Sequence, residues 1–514
     1  MTDISPETLL AKTAKGAGWI IGWRMVTRVL GMMSLLFLVR LLLPSDFGLV
    51  TLAMGFSQAI DALSALGVEE AVIREKNPTK DLYNSAFTIN VIRSVATATL
   101  LVAASWPVAQ FFGDTRLFPV LLVLALSALI NGLENVGIIE FRRNMQFDRE
   151  FLMLSIPRVV SIILAISLAF WWRSYWALVM AIFISSTLRI VLTYVFHPFR
   201  PRFGLKAWRQ IANFSIWSWL LSLTSLARDR CDTFVIGRVM DIANAGFFSA
   251  AVEIAVLPAS ELVAPLQRAS FSAFASTRHA GSNDDTITTY LRVLSSAVLL
   301  ALPASLGISM VGPLIVEVAF GERWRAASVV IEVTGLGLSL MAMGMISAPL
   351  LNAYGQLRGM FKIQLAAVIV RIPLAIFLVS RFGLLGGAIA GALGTGIEQM
   401  LYVAMALHRL RLSPMELIRH NGRALIGGGT MVAGMMALGL AWMDAPTVPG
   451  KALQALAISV ATGAFIYTTA VVLLWLAAGR PVGAERDAME LLRRLGRRAT
   501  SVVRKQWIVL YGHG

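Results

Sequence analysis

Long apolar runs separated by short polar turns set the pattern of this chain from about residue 17 onward. The runs are continuous and do not alternate with period two, so they read as helices and not as barrel strands. At about 20 apolar residues per bilayer crossing, they predict fourteen spans. These lie near 17–39, 47–67, 84–112, 117–138, 152–171, 175–196, 213–236, 245–266, 289–316, 326–350, 362–380, 384–407, 424–443 and 453–478. Pro, Gly or Asp marks several turns, as at Leu43-Pro44-Ser45-Asp46, Phe112-Gly113-Asp114 and Arg381-Phe382-Gly383. Ser45 or Asp46 is placed to cap the helix that follows by accepting its free N–H groups. The polar N-terminus has no small-residue cleavage site after a short apolar core, so the first span is expected to insert and stay.

Composition agrees with that pattern. The 514 residues are 57% hydrophobic and 14% charged, with a mean hydropathy of +0.72; a soluble globular chain carries about 25% charged residues. The fold class is therefore all-α, a polytopic membrane protein. The net charge of +16 raises nucleic acid as a partner, but no soluble domain exists to carry it. The basic residues instead fall in alternate loops. One side has Lys12 and Lys15, then Arg74 to Lys80, Arg142 to Arg149, Arg200 to Arg209, Arg268 and Arg278, Arg358 and Lys362, and Arg409 to Arg423. The other has one or two per loop: Arg40, Arg116, Arg173, Arg238, Arg323 with Arg325, Arg381 and Lys451. Basic loops stay in the cytoplasm, so both termini are expected there. The tail after Arg480 interleaves Arg493, Arg494, Arg497 and Arg498 with leucines, either as a surface-lying amphipathic helix or as a solvated basic tail.

Enzyme chemistry finds no support. Cys231 is the single cysteine, and the five histidines have no metal-ligand spacing, so neither a disulfide nor a metal site is expected. No G-x-x-x-x-G-K-[ST] loop is present, and no cofactor is implied. Gly383, Gly387 and Gly391 have the small-xxx-small spacing of close helix packing.

The chain echoes itself. Residues 39–48, from Val39 through Arg40 to Gly48, resemble residues 236–246, from Ile236 through Arg238 to Gly246; Arg93 matches Arg292, and Arg158 matches Arg371. Spans one to six and seven to twelve thus look like two copies inserted in the same orientation, related by an axis along the membrane normal. The expected organisation is an N-terminal lobe 1–212, a C-terminal lobe 213–412, two extra helices in 413–479 and a basic cytoplasmic tail 480–514.

Arg40-Leu-Leu-Leu-Pro-Ser-Asp-Phe-Gly-Leu-Val50, Leu66-Gly67 and Ala71-Val-Ile-Arg74 resemble the opening of bacterial polysaccharide transporters. Asp232-Thr-Phe-Val-Ile-Gly-Arg238, Phe320-Gly-Glu-Arg-Trp324 and Leu350-Leu-Asn-Ala-Tyr-Gly355 resemble later signatures of that family. This is the Wzx-type flippase branch of the multidrug/oligosaccharidyl-lipid/polysaccharide (MOP) exporter superfamily, and the resemblance spans roughly residues 12 to 480. It implies a two-lobed, V-shaped bundle in the bacterial inner membrane. It also implies alternating access that carries an undecaprenyl-diphosphate-linked oligosaccharide across, with membrane lipids and a polysaccharide polymerase or export machinery as partners. The alternatives are a cation-coupled small-molecule exporter and a membrane glycosyltransferase or polymerase.

Charges inside the spans mark the candidate site, because each costs roughly 3 kcal/mol to bury in a bilayer. In span seven, Ser215, Ser218, Ser222, Ser225, Asp229 and Asp232 step by three or four and share one stripe, which reads as a water-facing wall or as helix packing. Arg228 borders the stripe within reach of Asp232, while Arg230 points to another helix. In span one, Arg24 and Arg28 share a face with Gly31. They either grip the lipid diphosphate, as arginine forks do, or pair with Asp229, Asp232, Asp61 or Glu134. Further coupling or structural charges are Arg93, Glu134, Arg158, Arg292, Arg371 and Glu398, and Arg189 is another buried charge. Asn90, Asn131 and Asn135 face either sugar hydroxyls or other helices.

Overall fold

The structure, a computed structural model, describes residues 26–27, 29–63, 68–75, 78–143, 146–211, 216–279, 283–339, 341–446 and 449–490. Every regular element among them is helical. Seven of these helices are long and apolar enough to cross a membrane, and an eighth is added if the bent pair Glu322–Leu338 and Met341–Ala353 counts as one span. Contacts divide the chain into two compact units, one of residues 1–250, 319–321 and 375–383, the other of 251–318, 322–374 and 384–514.

The first unit begins with α1 (Val29–Leu41) and α2 (Pro44–Leu63). Pro44 costs nothing in a first turn, where its missing N–H would have no helical partner. Asp46 lies inside that turn and reaches back, its Oδ2 accepting from the Leu43 N–H at 3.2 Å. The helix therefore starts before Ser45, and the cap acts from the third helical residue rather than from ahead of the helix.

Three short helices, α3 (Val68–Arg74), α6 (Ile139–Arg143) and α9 (Trp208–Ile211), gather with the start of α4 (Lys80–Phe112) at one end of this unit. Val72, Leu82, Tyr83, Phe87, Val136 and Ile211 form their shared core. Asn84 Oδ1 accepts from the Arg202 N–H at 2.9 Å, and Ser85 Oγ from the Ala207 N–H at 3.0 Å. These are loops of the strongly basic set. Loops of the weakly basic set meet elsewhere, between α4, α5 (Leu117–Asn131), α7 (Phe147–Trp172) and α8 (Trp176–Phe196). There Arg116 pairs with Asp114 at 2.7 Å and lies over the Tyr175 ring. The structure thus sorts these loops as the charge pattern does.

Helix α10 (Ile216–Val239) runs antiparallel along α2. Trp219 Nε1 donates to the Ala62 carbonyl at 3.0 Å, Arg230 Nη2 to Gln58 Oε1 at 2.8 Å, and Phe234 stacks on Phe56 with ring centroids 5.0 Å apart. Then α11 (Ile242–Ala255) starts against the start of α2. A Cβ on Gly48 would stand 1.8 Å from the Ile242 carbonyl oxygen, and one on Gly246 2.0 Å from that of Pro44. The two glycines of the internal echo are therefore each other's neighbours.

The second unit follows with α12 (Ala264–His279), α13 (Asn283–Met310), α14 (Gly312–Ile315), α15 (Ser328–Leu338), α16 (Met341–Ala353), α17 (Leu357–Leu410, apart from residues 375–383), α18 (Pro414–Ala437) and α19 (Pro449–Ala477). Its core joins Tyr290, Leu294 and Leu302 of α13 to Ile346, Val403 and Met431. α17 holds two of the expected spans, broken at Gly383 by backbone angles (φ 58°, ψ −134°) that no helix adopts. After α19 the chain folds back: the Trp475 indole donates to the Pro481 carbonyl at 3.1 Å and Ala484 is buried. Glu485 takes a two-pronged bond from Arg423, and Asp487 one from Arg292. Arg292 was expected among the buried charges, yet its side chain is 57% exposed. The reason is that α13 starts at Asn283, so its first polar turns stand clear of the apolar stretch. The tail beyond Glu490 lies outside the described residues.

Two predictions follow from these contacts. Gly48→Ala and Gly246→Ala each drive a methyl group into backbone that cannot rotate away, so each is expected to destabilise by about 3 kcal/mol, the upper part of the overpacking range. Gly307→Ala, with nothing within 4 Å of the new Cβ, is expected to leave the melting temperature in detergent unchanged. Equal melting temperatures for all three would contradict the packing. The hydrogen bond from Arg292 holds the Asp487 carboxyl below the usual carboxylate range, against the opposing effect of burial. A depressed folded value means the stabilisation is present above the unfolded value, about 3.9, and is lost as pH falls through the folded one. Protease cleavage within 480–490 is thus expected to rise only below about pH 4; a rise between pH 5 and 6 would speak against this pairing.

Candidate functional site

Four helices of the first unit turn polar stripes toward one another. α2 contributes Ser57, Gln58 and Asp61; α4 contributes Arg93 and Ser94; α5 and its end contribute Ser127, Asn131 and Glu134; α8 contributes Ser186 and Arg189. Asp61 follows Ser57 and Gln58 by four and three residues, Asn131 follows Ser127 by four and Arg189 follows Ser186 by three, so within each of these helices the residues share a face. Between them lies a cavity of about 270 Å³, ample for several waters.

Local breaks create this geometry. α5 stops at Asn131, and Gly132 lets it press on α4, where a Cβ would meet Ser94 Oγ at 1.8 Å. The chain then turns, so Glu134 stands at the rim instead of continuing a helix. Asn135 holds the turn: its Nδ2 donates to the Phe199 carbonyl at 2.8 Å and its Oδ1 accepts from the Gly137 N–H at 3.0 Å. Asn135 is wholly buried and engaged with backbone, so it reads no ligand. Asn131 faces the cavity.

The charges are paired. Arg189 Nη1 meets Glu134 Oε1 at 3.1 Å and its Nη2 donates to Asn131 Oδ1 at 3.3 Å. Arg93 lies 3.8 Å from Asp61. Two carboxylates against two guanidiniums leave the cavity neutral, with amides and hydroxyls between. Such groups recognise paired hydroxyls: carboxylates and amide carbonyls accept from them, guanidiniums and amide N–H groups donate.

The other expected residues fall in several places. On α10, Ser222 and Asp229 are exposed and Ser225 is half-buried, whereas Asp232 is buried. Among its described residues the stripe is open at Ser222 and Asp229 and closed at Asp232. Arg228 Nε bonds the neighbouring Asp229 Oδ1 at 2.9 Å. Arg230 does reach another helix, at Gln58 of α2. Arg24, Arg28 and Ser215 lie outside the described residues, as does the Ser218 side chain. Gly31, on the face that Arg24 and Arg28 share by helical count, lies under the Arg158 guanidinium, which a Cβ would meet at 3.2 Å. In the second unit Arg371 is buried over Gly394 and donates to Thr395 Oγ1 at 3.1 Å, one turn before the buried Glu398. Arg292 serves the tail. Among the described residues no group of His, Cys, Asp and Glu is arranged to hold a metal ion.

The sequence matches the family model described as "Polysaccharide biosynthesis protein" over residues 37–329. The chain belongs to that polysaccharide biosynthesis family. The family match takes in every helix lining the cavity and the whole α2–α10 pair. Relatives include the lipopolysaccharide biosynthesis protein WzxC of Escherichia coli strain K12, 23% identical over 407 residues, which are 77% of this chain and 79% of that protein. The succinoglycan biosynthesis transport protein ExoT of Rhizobium meliloti is 23% identical over 354 residues, 68% of this chain and 71% of its own. A putative O-antigen transporter of Shigella flexneri is 22% identical over 424 residues, 75% of this chain and 96% of its own. Among solved structures, the lipid II flippase MurJ in an inward closed conformation superposes with a TM-score of 0.71 at 14% identity, covering 90% of this chain and 99% of that one. A multidrug resistance MATE transporter of the MOP superfamily gives 0.62 at 15% identity over 75% and 94%. This family member is thus a multi-pass membrane protein with the all-α MOP fold.

The Glu134–Arg189 pair generates a prediction. Arg189→Met removes the bonds to Glu134 and Asn131 and is expected to lower stability by about 2 kcal/mol, the scale of a bond to a charged group. Adding Glu134→Gln is expected to restore the melting temperature but not transport. Additive losses of stability in the double variant would show that the pair is not coupled.

Proposed function

We propose that this protein flips a polyprenyl-diphosphate-linked oligosaccharide from the cytoplasmic to the outer leaflet of the bacterial inner membrane, in polysaccharide biosynthesis. The observation that carries the reading is a cavity lined by paired charges, amides and hydroxyls inside an otherwise apolar bundle, in a chain of the polysaccharide biosynthesis family with the fold of the lipid II flippase MurJ. Only the head group needs a polar path. The polyprenyl tail is as apolar as the bilayer and stays in it.

The residues divide the head group between two chemistries. The neutral cavity of Asp61, Arg93, Asn131, Glu134 and Arg189 suits sugar hydroxyls, and its pairs reopen as hydroxyls replace them. Arg24 and Arg28 supply positive charge for the diphosphate, and Arg158 lies against Gly31. The open Ser222–Asp229 stripe of α10 is a wetted wall for passage, and Arg371 with Glu398 braces the second copy. The lobes 1–212 and 213–412 alternate access, both termini face the cytoplasm, and helices in 413–479 shelter the tail of the lipid. A polymerase receives the flipped unit. The MATE likeness concerns the fold alone, and the family match favours a sugar-lipid over a drug. Relatives carrying transporter and flippase names favour carriage over glycosyl transfer.

Deleting the protein is expected to accumulate lipid-linked repeat units on the inner leaflet. Finding them outside would point to polymerisation instead. Arg24→Ala or Arg28→Ala is expected to abolish polysaccharide export at unchanged protein level, and normal export from both variants would sink the diphosphate role.

A further inference from the structure

Tyr354 lies in the turn between α16 and α17, in the second unit. Two cations converge on its ring: Arg278 near the end of α12 and Arg409 near the end of α17, with guanidinium carbons 5.4 and 4.7 Å from the centroid. Arg278 also donates to the Ala353 carbonyl. α17 then stops on Arg411, whose positive φ of 57° turns the chain, its N–H closing on the His408 carbonyl. Beside that turn a cavity of about 550 Å³ is lined by Gln356, Leu407, His408, Arg409, Arg411 and Leu412.

Among the described residues no carboxylate lines this cavity. Among the described residues none forms an ion pair with Arg278, Arg409 or Arg411, and these three are exposed. The acid next in sequence, Glu416, is committed to its helix cap, accepting from the Ser413 N–H at 3.2 Å. Like charges repel, and ring stacking alone offsets roughly 1 kcal/mol each. Cations gathered around open space without counter-charge complement an anion, and arginine forks match phosphate oxygens.

Position identifies the source of that phosphate. All three arginines belong to loops that the charge pattern assigns to the cytoplasmic face, where the leaflet is anionic. Ile397 and Leu401 precede His408 on the same stripe of α17 and are exposed, as are Met415 and Ile418 at the start of α18. A phosphate at the helix end with apolar side chains leading into the bilayer is the arrangement a lipid presents. We propose that this pocket binds the phosphodiester headgroup of an anionic membrane lipid, with Arg409 and Arg411 as its ligands and the Tyr354 ring, shared with Arg278, holding Arg409 in place. The site is separate from the flipping path and does not depend on that reading.

Native mass spectrometry of the delipidated full-length protein tests this, with phosphatidylglycerol, phosphatidylcholine and glycerol phosphate as probes. Phosphatidylglycerol is expected to be retained, phosphatidylcholine is not, and glycerol phosphate is not expected to displace the lipid. Arg409→Gln with Arg411→Gln is expected to weaken retention about twentyfold, since each arginine near the surface is worth roughly fivefold. The double Lys variant keeps most of it, and Arg419→Gln outside the pocket changes nothing. Unchanged retention in a folded Gln variant overturns the site. Displacement by glycerol phosphate overturns the lipid as source, and a tenfold preference for a polyprenyl diphosphate overturns bulk lipid as the occupant. Should the Gln pair fail to fold, a photoactivatable phosphatidylglycerol on the unaltered protein is expected to label 354–358 or 407–412, and labelling confined elsewhere is equally decisive against the proposal.

Discussion

The crossing of α2 and α11 is the constraint on which the first unit depends. Gly48 and Gly246 each occupy the space where the other strand's backbone would exclude a side chain. The contact is reciprocal, so neither helix can slide or roll without a clash. From it α2 runs along α10 through Leu52 under Gly237, Gly55 under Phe234, Gln58 at Arg230 and Ala62 at Trp219. Holding that face of α2 against α10 aims Ser57 and Asp61 at α4, α5 and α8. The cavity is therefore a consequence of two missing methyl groups about three turns away.

Much of this was legible in the sequence, for physical reasons that differ by feature. Continuous apolar runs without period-two alternation fix helix and membrane together, because a bilayer admits only helices and closed barrels, and barrel strands alternate. The break at Gly383 was legible too, since a turn residue interrupts the run. The early end of α5 was not: it depends on the Asn135 amide, whose partners Thr193, His197 and Phe199 lie about sixty residues on. The echo between Arg40–Gly48 and Arg238–Gly246 was visible as a pattern, but nothing in a pattern says that its two copies touch.

For the site, conspicuous charge stands out on α10, while Asn131, Glu134 and Arg189 stand out only singly, without Ser127 and Ser186 that share their spacing. Serine and asparagine inside an apolar span look like packing. The signal that would have found them is the coincidence of one charge with two small polar residues on a single face, in several helices at once. Arg93 and Arg292 show the opposite failure. Matched positions in a repeat suggested a shared task, yet one lines the cavity and the other holds the tail. Arg158 and Arg371 keep their likeness better, since each side chain lies across a glycine, Gly31 of α1 and Gly394 beyond the break in α17.

The break at Gly383 also has a consequence in time. Residues 375–383 of α17, and Ala319 with its acceptor bond from Arg40, complete the first unit, though most of that unit ends at residue 250. A ribosome needs roughly 7 to 25 seconds to add the intervening stretch of about 130 residues. Through that interval the early helices wait in the membrane without their last pieces. Their paired charges and the glycine crossing must hold them together until synthesis catches up.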